Sequence, residues 1–135
     1  PEDESFKNSA LHQLSNVYFL GRKEEKDLPD YVNYFDVCLN PQSINQLTMG
    51  NYPRKVDEYL AAGKPVVATR TETMEAFADC TYLCTGTDDY IKAIELALAE
   101  KEDIARIEKR KEVARSHSWE NSIAAFYGVV ESLNK

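Results

Sequence analysis

Two cations and an acid stand close together at the start of a predicted helix, in the stretch NYPRKVDEYLAAGKPVVAT (residues 51–69). Arg54 and Lys55 open this helix, where the aligned peptide dipoles leave about half a positive charge and make further cations unfavourable. Lys55 and Glu58 are three residues apart and therefore share one edge of the helix. They form either a solvated ion pair worth a few tenths of a kcal/mol or part of a site for an anionic ligand, held by free N–H groups, the dipole and Lys55. The spacing alone leaves both interpretations open.

The limits of this helix are well marked in the sequence. Pro53 suits the first helical position, where its missing N–H costs nothing, and Gly63 suits the left-handed residue just beyond the end. Val56, Tyr59 and Leu60 fall on one stripe at helical spacing and are predicted to face the core. The charged edge is therefore predicted to face away from that core.

The elements that must position this helix alternate along the chain. Four apolar runs have the length of strands: NVYFL (16–20), DVCLN (36–40), PVVAT (65–69) and TYLC (81–84). Helical patterns separate them, over residues 27–34, 53–62 and 74–78. Continuous apolar strands that alternate with helices indicate a parallel sheet covered on both faces. The sequence therefore predicts an α/β fold with a Rossmann-like, doubly wound parallel sheet.

The C-terminal part of the chain, residues 88–134, is predicted to be helical. Thr87 or Asp88 caps the first helix, residues 103–115 form a second helix with a solvated mixed-charge face, and Ser118 caps the last. Trp119 is predicted to anchor this last helix. One face of the first helix carries the apolar residues Tyr90, Ile91, Ile94 and Leu98, and the last helix carries Ile123, Phe126, Tyr127, Val130 and Leu133 at helical spacing. We expect Phe126 and Tyr127 in the core unless a missing partner domain covers them.

Composition restricts the classes of protein that fit. At 135 residues with 43% hydrophobic residues, the chain suits one domain with a real core. A net charge of −7 argues against nucleic-acid binding, which needs a basic surface, so any anion site must be local. No apolar run approaches the ~20 residues that cross a bilayer, and the acidic N-terminus is unlike a signal peptide. We expect a soluble, cytoplasmic protein.

The thiols and imidazoles predict no metal site. Cys38, Cys80 and Cys84 show no Cys-x-x-Cys spacing, and only His12 and His117 could accompany them. Cysteines in apolar runs of this kind are usually small buried thiols. We therefore assign them no chemistry and expect no required metal.

Three polar segments follow the predicted strands, at the edge where ligands bind to open parallel sheets. They are GRKEEKDLP, PQSINQLTMGNYPRK and RTETMEAF. The second is longer than most connections and leads directly into the helix with the two cations. No Gly-x-Gly-x-x-Gly or Walker pattern follows a strand, and Gly63 and Lys64 end a helix rather than open one. The sequence therefore contains no fingerprint for a nicotinamide or flavin cofactor.

With these residues placed, the chain resembles the donor-binding, C-terminal half of a GT-B retaining glycosyltransferase of the family 4 type (glycosyl transferases group 1). The resemblance runs nearly end to end. It is carried by a strand ending in Phe-x-Gly followed by a helix and an Asp-Val strand, in NVYFLGRK and DLPDYVNYFDVCLNP. The signature Pro-x-Lys, Glu-Tyr-Leu-Ala, Gly-x-Pro-Val-Val-Ala in YPRKVDEYLAAGKPVVAT and the closing Trp-containing helix in SHSWENSIAAFY complete it.

The resemblance implies roles for the charged edge of the helix. In similar proteins the acid at the position of Glu58 hydrogen-bonds the ribose of a nucleotide sugar, and the base at the position of Lys55 meets its diphosphate. Backbone groups at Gly21, Arg22 and Lys23 lie where the family grips the nucleotide base. A carboxylate suits vicinal hydroxyls, and a diphosphate suits a helix start. Lys55 and Glu58 are thus the expected catalytic residues.

One position departs from the commonest pattern of that family. A further acid usually stands eight residues before the ribose-binding one, and here that position is Gly50. We expect the preceding residues and the neighbouring cation to supply sugar or phosphate contacts instead, namely Asn45, Gln46, Leu47, Thr48 and Arg54. The alternative is that the amides and hydroxyls merely close hydrogen bonds within the loop.

For the whole chain the resemblance implies one nucleotide-sugar-binding domain, residues 1–135, lacking the first strand of the family's domain. The implied reaction transfers a sugar, of the hexosyltransferase class, from a nucleotide diphosphate sugar to a polysaccharide or glycolipid acceptor, without a separate cofactor. Similar proteins hold the acceptor in an N-terminal domain that is absent here. We therefore expect a fragment that is inactive alone and reaches the membrane, if at all, through that domain. A GT-B nucleotide-sugar epimerase and a noncatalytic α/β binding module are the alternatives.

Overall fold

A three-stranded parallel sheet lies at the centre of the molecule. The computed structural model describes residues 8–46 and 48–133. Its strands are β1 (Cys38–Asn40), β2 (Val66–Thr69) and β3 (Tyr82–Cys84), in the order β1-β2-β3. Cys38 pairs with Val66, and Val67 pairs with Tyr82. The central strand is thus β2, and the predicted parallel α/β arrangement is confirmed.

Helices flank the sheet and continue beyond it. Within the described ranges the α-helices are α1 (Leu28–Tyr34), α2 (Arg54–Ala61), α3 (Thr87–Ala99), α4 (Ile104–Ser116) and α5 (Trp119–Leu133). Short 3₁₀ helices span Ala10–Gln13, Glu25–Asp27 and Thr73–Phe77. None of the helices in these ranges has both the length and the apolar content needed to cross a bilayer.

Two core clusters cover the two faces of β2. The first consists of Val32, Cys38, Val56, Leu60, Val66, Ala68, Met74 and Phe77. The second consists of Val67, Cys84, Ala93 and Ala97. Successive side chains of a strand point to opposite faces, so Val66 and Ala68 face α2 while Val67 faces α3. The sheet is therefore sandwiched between helices, as the continuous apolar strands predicted.

The helix with the charged edge forms almost where the sequence predicts it. Val56 and Leu60 are fully buried, and Tyr59 packs against the same cluster. Pro53 stands at the N-cap rather than the first helical position, and Gly63 follows the C-cap with a φ of +74°. Packing of the apolar stripe on the sheet fixes which side of α2 faces outward.

The predicted strand over residues 16–20 is not formed. Tyr18 is 78% exposed, and Phe19 and Leu20 are also exposed. These residues make no ladder with any part of the chain that the structure describes. A strand is stable only beside a hydrogen-bonded neighbouring strand, and none of the strands in residues 8–46 and 48–133 pairs with this segment.

The last helix does not enter the core, contrary to the prediction. Ser118 accepts a hydrogen bond from the Asn121 amide at 3.3 Å, as a cap should, and α5 begins at the next residue. However, Trp119 is 77% exposed, so it is no anchor. Phe126 and Tyr127 are also exposed and contact each other edge to face. Apolar spacing shows which residues share a side of a helix but does not supply the surface that covers them.

The buried side of α3 is shifted from the predicted one. Ile91 and Leu98 are exposed, whereas Ala93 and Ala97 are buried against the sheet. Tyr90 and Ile94 pack beside them and are partly buried. Small side chains allow the helix to approach the sheet closely, so they displaced the larger residues from the contact.

The cap of α3 also differs from the prediction. The N-cap position belongs to Gly86 rather than to Thr87 or Asp88, and its lack of a side chain leaves that cap without a side-chain hydrogen bond. Asp89 instead accepts hydrogen bonds from the amide and the hydroxyl of Thr85, at 3.0 and 2.7 Å. These bonds lower the pKa of the Asp89 carboxyl below its usual range.

The mixed-charge helix α4 contains a buried cation that the sequence did not predict. Arg110 is 2% exposed and pairs with Glu100, which follows α3. Its guanidinium also donates to the carbonyl of Gly63 at 3.4 Å. Breaking a buried pair of this kind is costly because it leaves one charge without a partner. Arg110 therefore ties α4 to both α3 and the end of α2.

Replacing Gly63 tests the close contact between the end of α2 and α4. A Cβ at this position would lie 2.8 Å from Cγ2 of Ile107, in a left-handed conformation. We expect Gly63→Ala to lower the free energy of unfolding by about 2 kcal/mol or more, measured by urea denaturation.

The control for this prediction is Gly21→Ala, whose φ is also positive and whose Cβ would meet nothing within 4 Å. It should cost about 1 kcal/mol, from the backbone conformation alone. Equal losses in the two variants would show that Ile107 moves aside freely.

The buried thiol of Cys38 predicts a loss of stability in alkali. Burial raises the pKa of Cys38 from 9.0 to about 11. As the pH rises, the thiol therefore ionises in the unfolded state before it ionises in the folded state. The stability contributed by the protonated thiol is complete below pH 9 and falls as the pH rises toward 11. The slope is up to about 1.4 kcal/mol per pH unit. In urea unfolding, Cys38→Ala should cost about 1 kcal/mol near neutral pH, and the gap to wild type should narrow by about pH 10.5. A constant gap would contradict this linkage.

Candidate functional site

The start of α2 combines two cations with a helix terminus that lacks a side-chain cap. Pro53 is the N-cap residue and makes no side-chain hydrogen bond to the first turn. Arg54, Lys55 and Glu58 are all exposed on this first part of the helix. The first N–H groups of a helix lack partners within it. Here the Arg54 N–H donates to the Tyr52 carbonyl at 3.0 Å and the Val56 N–H to the Pro53 carbonyl at 2.7 Å, whereas the Lys55 N–H between them makes no such bond within the described residues. This terminus is therefore able to receive a phosphate or carboxylate group.

A cavity of about 600 Å³ lies between α1 and α2 and reaches this terminus. It is lined by Glu25, Leu28, Pro29, Val32, Asn33, Arg54, Glu58, Ala61 and Ala62. Arg54 and Glu58 thus share one cavity, whereas Lys55 lies on the neighbouring side of the same turn. The cavity offers apolar walls with a carboxylate and a guanidinium, a combination that suits a flat ring attached to a hydroxylated sugar.

The residues predicted to bind the base, 21–23, precede the lining residues of this cavity in the sequence. Gly21 adopts a φ of +68°, and both Gly21 and Arg22 are exposed. The Lys23 ammonium lies 5.1 Å from the centroid of the Tyr31 ring, within cation–π range. Lys23 is therefore held against α1, and base binding by this segment stays a prediction.

The loop that enters α2 is closed by its own hydrogen bonds. The Thr48 hydroxyl donates to the Ser43 carbonyl at 2.6 Å and accepts from the Asn45 amide at 3.0 Å. The Asn45 side-chain oxygen accepts from the Thr48 amide at 3.1 Å. Gln46 is exposed, and Leu47 lies outside the described residues. These bonds correspond to the loop-closing alternative, and donor contacts by these residues stay a prediction.

A second cavity, of about 490 Å³, opens at the carboxyl ends of the three strands. It is lined by Pro41, Gln42, Ile44, Thr69, Cys84, Thr85, Gly86, Thr87 and Tyr90. The Thr69 hydroxyl accepts from the Gln42 amide at 2.8 Å and lies 2.8 Å from the Tyr90 hydroxyl. The sequence analysis missed Thr69, although its position at the end of the strand PVVAT places it at the ligand-binding edge.

The cysteines have the character of buried thiols. Cys38 and Cys84 are buried and Cys80 is partly buried, and all three are free. Burial raises the pKa of Cys38 and of Cys80 to about 11, so both are protonated at neutral pH. A protonated thiol is a poor nucleophile and a poor metal ligand. Among the described residues no group of three or more acidic, His or Cys side chains is arranged to hold a metal ion.

The family comparison and the comparison with a curated protein both identify glycosyltransferases. The family described as "Glycosyl transferases group 1" matches residues 1–100. A protein of Bacillus subtilis (strain 168), named "Putative teichuronic acid biosynthesis glycosyltransferase TuaH", is 32% identical over 113 residues. The match covers 81% of this chain and 28% of that relative, so the chain spans less than a third of its length. No solved structure gives a significant match.

Removing the Thr48 hydroxyl tests whether the loop depends on its internal hydrogen bonds. Thr48→Val keeps the shape but deletes the bonds to Ser43 and Asn45. We expect amide hydrogen exchange at Asn45 and Met49 to accelerate about tenfold, because each lost bond is worth about 1 kcal/mol. Thr48→Ser retains the hydroxyl and should exchange like wild type. A loop that exchanges equally fast in all three proteins would contradict this role.

Proposed function

The chain belongs to the glycosyl transferases group 1 family, and on this basis we propose that it is the donor-binding part of an enzyme that transfers a sugar from a nucleotide diphosphate sugar. The observation that carries the proposal is the uncapped start of α2, where Arg54 and Lys55 stand beside the cavity that Glu58 borders. The two parts of a nucleotide diphosphate, an anion and a nucleoside, correspond to these two features.

The diphosphate belongs at the start of α2. The Lys55 N–H and the positive end of the helix dipole favour a phosphate there by up to about 2 kcal/mol. The Lys55 ammonium adds a charge-assisted hydrogen bond from the exposed side of the same turn. Without an anionic ligand, the dipole disfavours a cation at this position. The ligand therefore explains a charge placement that a solvated ion pair does not.

The nucleoside belongs in the cavity between α1 and α2. Its apolar part, formed by Leu28, Pro29 and Val32, suits the face of a base. The Glu58 carboxylate at its border offers acceptors to the ribose hydroxyls. Arg54 lies one turn before Glu58 on the same side, where its guanidinium can reach the nearer phosphate or stack on the base. In this arrangement a single helix face contacts both halves of the donor.

Catalysis follows from charge that develops on the leaving group. As the bond between the sugar and the diphosphate breaks, negative charge grows on the phosphate oxygen. Lys55 and the dipole of α2 are already oriented toward that charge and need no rearrangement to stabilise it. One such preorganised donor lowers a barrier by about 3 kcal/mol in other enzymes. We therefore propose Lys55 as the electrostatic catalyst and Glu58 as the residue that fixes the nucleoside.

The loop before α2 is the proposed place for the transferred sugar, of the hexosyl class. Gly50 is exposed, and a Cβ there would meet nothing within 4 Å, so packing does not require a glycine at this position. Asn45, Gln46 and Thr48 carry the polar groups of this loop. Their amides and hydroxyls are able to exchange an internal hydrogen bond for one to a sugar hydroxyl.

The acceptor is proposed to be a polysaccharide or a glycolipid. The printed name of the Bacillus subtilis relative refers to teichuronic acid biosynthesis, an assembly reaction of this general kind. Transfer requires the acceptor and donor to be held within reacting distance, so we propose that residues 1–135 alone bind the donor without transferring the sugar. The three free thiols fit the reducing cytoplasm, where we place the reaction.

Binding of nucleotides tests the assignment of Lys55 and Glu58. Uridine, guanosine and adenosine diphosphates are titrated by calorimetry, and the best is compared with its nucleoside and its 2′-deoxy form. Lys55→Ala should weaken the diphosphate by about tenfold or more but spare the nucleoside, because it removes only a phosphate contact. Glu58→Gln should weaken the binding of both the diphosphate and the nucleoside. The loss of affinity should be smaller for the 2′-deoxy form, which lacks one of the ribose hydroxyls.

The control pair is Lys109→Ala and Glu112→Gln on α4. These residues have the same i,i+3 spacing and form an exposed ion pair at 3.6 Å. Both variants should bind like wild type. If none of the three diphosphates binds wild type, or if the Lys55 and Lys109 variants behave alike, the charges at the start of α2 are only a solvated surface pair and the protein is a binding module of another kind.

A further inference from the structure

Three side chains from distant parts of the sequence meet beside the start of α2. The Tyr52 hydroxyl donates to Oδ2 of Asp57 at 2.6 Å. The other carboxylate oxygen, Oδ1, lies 2.9 Å from Nδ1 of His117, and the Tyr52 hydroxyl is 3.3 Å from the same nitrogen. Both Asp57 oxygens act as acceptors when Nδ1 of His117 carries a proton, which we assign on this basis. Tyr52, Asp57 and His117 are called the Asp57 cluster below.

Each member of the Asp57 cluster belongs to a different element. Tyr52 is the last residue of the loop before Pro53, Asp57 lies in the first part of α2, and His117 is the C-cap of α4. The His117 ring also packs edge to face on the buried ring of Phe77, with centroids 5.1 Å apart. The imidazole is therefore fixed by an aromatic contact on one side and by a carboxylate on the other.

We propose that the Asp57 cluster positions the first turn of α2 for donor binding, with Asp57 and His117 as positioning residues that do not contact the donor. This inference rests on the proposed function of Lys55 and Glu58, which lie on the same helix within three residues of Asp57. A helix this short is easily rotated or frayed at its start, and Pro53 supplies no cap to prevent it. Bonds from Asp57 to the incoming loop and to α4 hold that turn from two sides.

The surroundings of the Asp57 cluster include a cavity and charged groups that are consistent with its hydrogen bonds. A cavity of about 660 Å³ borders it, and Arg54, Asp57, Glu58 and His117 are among its lining residues. Burial and the hydrogen bond to Asp57 raise the pKa of the Tyr52 phenol above its usual range, so the hydroxyl keeps its proton and remains a donor. The Asp57 carboxylate, an acid in the first turn, also complements the helix dipole.

Supporting groups of this kind matter for function because binding residues must be held within about 0.5 Å of their productive geometry. Lys55 and Glu58 have long, exposed side chains. The backbone of α2 therefore determines the positions of their Cα and Cβ atoms. If the turn moved, both residues would move together, and both parts of the donor would lose contacts. A loose turn would therefore weaken diphosphate and nucleoside alike.

The experiment compares His117→Ala and His117→Asn in the 135-residue chain. The asparagine side chain places an N–H close to the position of Nδ1 and can still donate to Asp57. We expect His117→Ala to accelerate amide exchange at residues 55–58 about tenfold and leave α3 unchanged, and to weaken the best nucleoside diphosphate about fivefold. His117→Asn should restore most of both losses. The ¹⁵N shifts of the His117 ring should report a protonated Nδ1 in wild type and a change in Asp57→Ala.

Lys101→Ala is the matched control, because it removes a polar link across a similar sequence separation, to Asp36 at 2.8 Å, which precedes the amino end of β1. It should change neither the exchange at residues 55–58 nor the binding. Uniformly faster exchange in all helices of the His117→Ala variant, without rescue by asparagine, would overturn the positioning role in favour of general stability. If wild type binds no nucleoside diphosphate, the proposed function fails, and unchanged exchange at residues 55–58 in His117→Ala would separately overturn the cluster's hold on α2.

Discussion

Burial of β2 on both faces is the constraint from which the position of the site follows. Val66, Val67 and Ala68 are fully buried, so one layer of helices must cover each side of the strand. Only Lys64 and Pro65 separate this strand from Gly63, and the left-handed turn at Gly63 reverses the chain within that distance. The helix α2 must then run antiparallel to β2. Its first turn is thereby delivered to the carboxyl edge of the sheet, where the strand-end loops also converge.

Local rules gave the parts of the fold that depend on local chemistry. The conformation of Gly63 and the cap at Ser118 depend on a few neighbouring residues and were predicted, as were the bounds of α2 to within one residue. The missing strand at 16–20 and the exposed Trp119 depend instead on what lies opposite them. An apolar run becomes a strand only beside a partner, and an indole becomes an anchor only under a surface that covers it. The sequence of the apolar segment alone does not show whether a partner strand or a covering surface is present.

In the candidate site, too, some features follow from local sequence and others depend on contacts between distant residues. The sequence analysis placed Lys55 and Glu58 on one edge of the helix, whereas the cavity beside α1 is lined by Arg54 and Glu58, one turn apart, and not by Lys55. The contacts of Asp57 with His117, and of Arg110 with Glu100, join residues separated by 60 and 10 positions, and periodicity carries no information about either pair. Arg110 was read as solvated because its neighbours in the sequence are charged. Its burial becomes clear only when α4 is packed against α2 and the end of α3.

These long-range contacts also fix where the charges at the start of α2 lie. The first part of the helix carries two cations, Arg54 and Lys55, and two acids, Asp57 and Glu58, which would leave no net attraction for an anion. However, both oxygens of Asp57 are already engaged by Tyr52 and His117, so that carboxylate is turned toward α4. These hydrogen bonds fix the position of the Asp57 carboxylate but leave its negative charge in place, so the two acids still offset the two cations. In a chain with a net charge of −7, the positive character of this terminus therefore comes from the helix dipole rather than from an excess of cations.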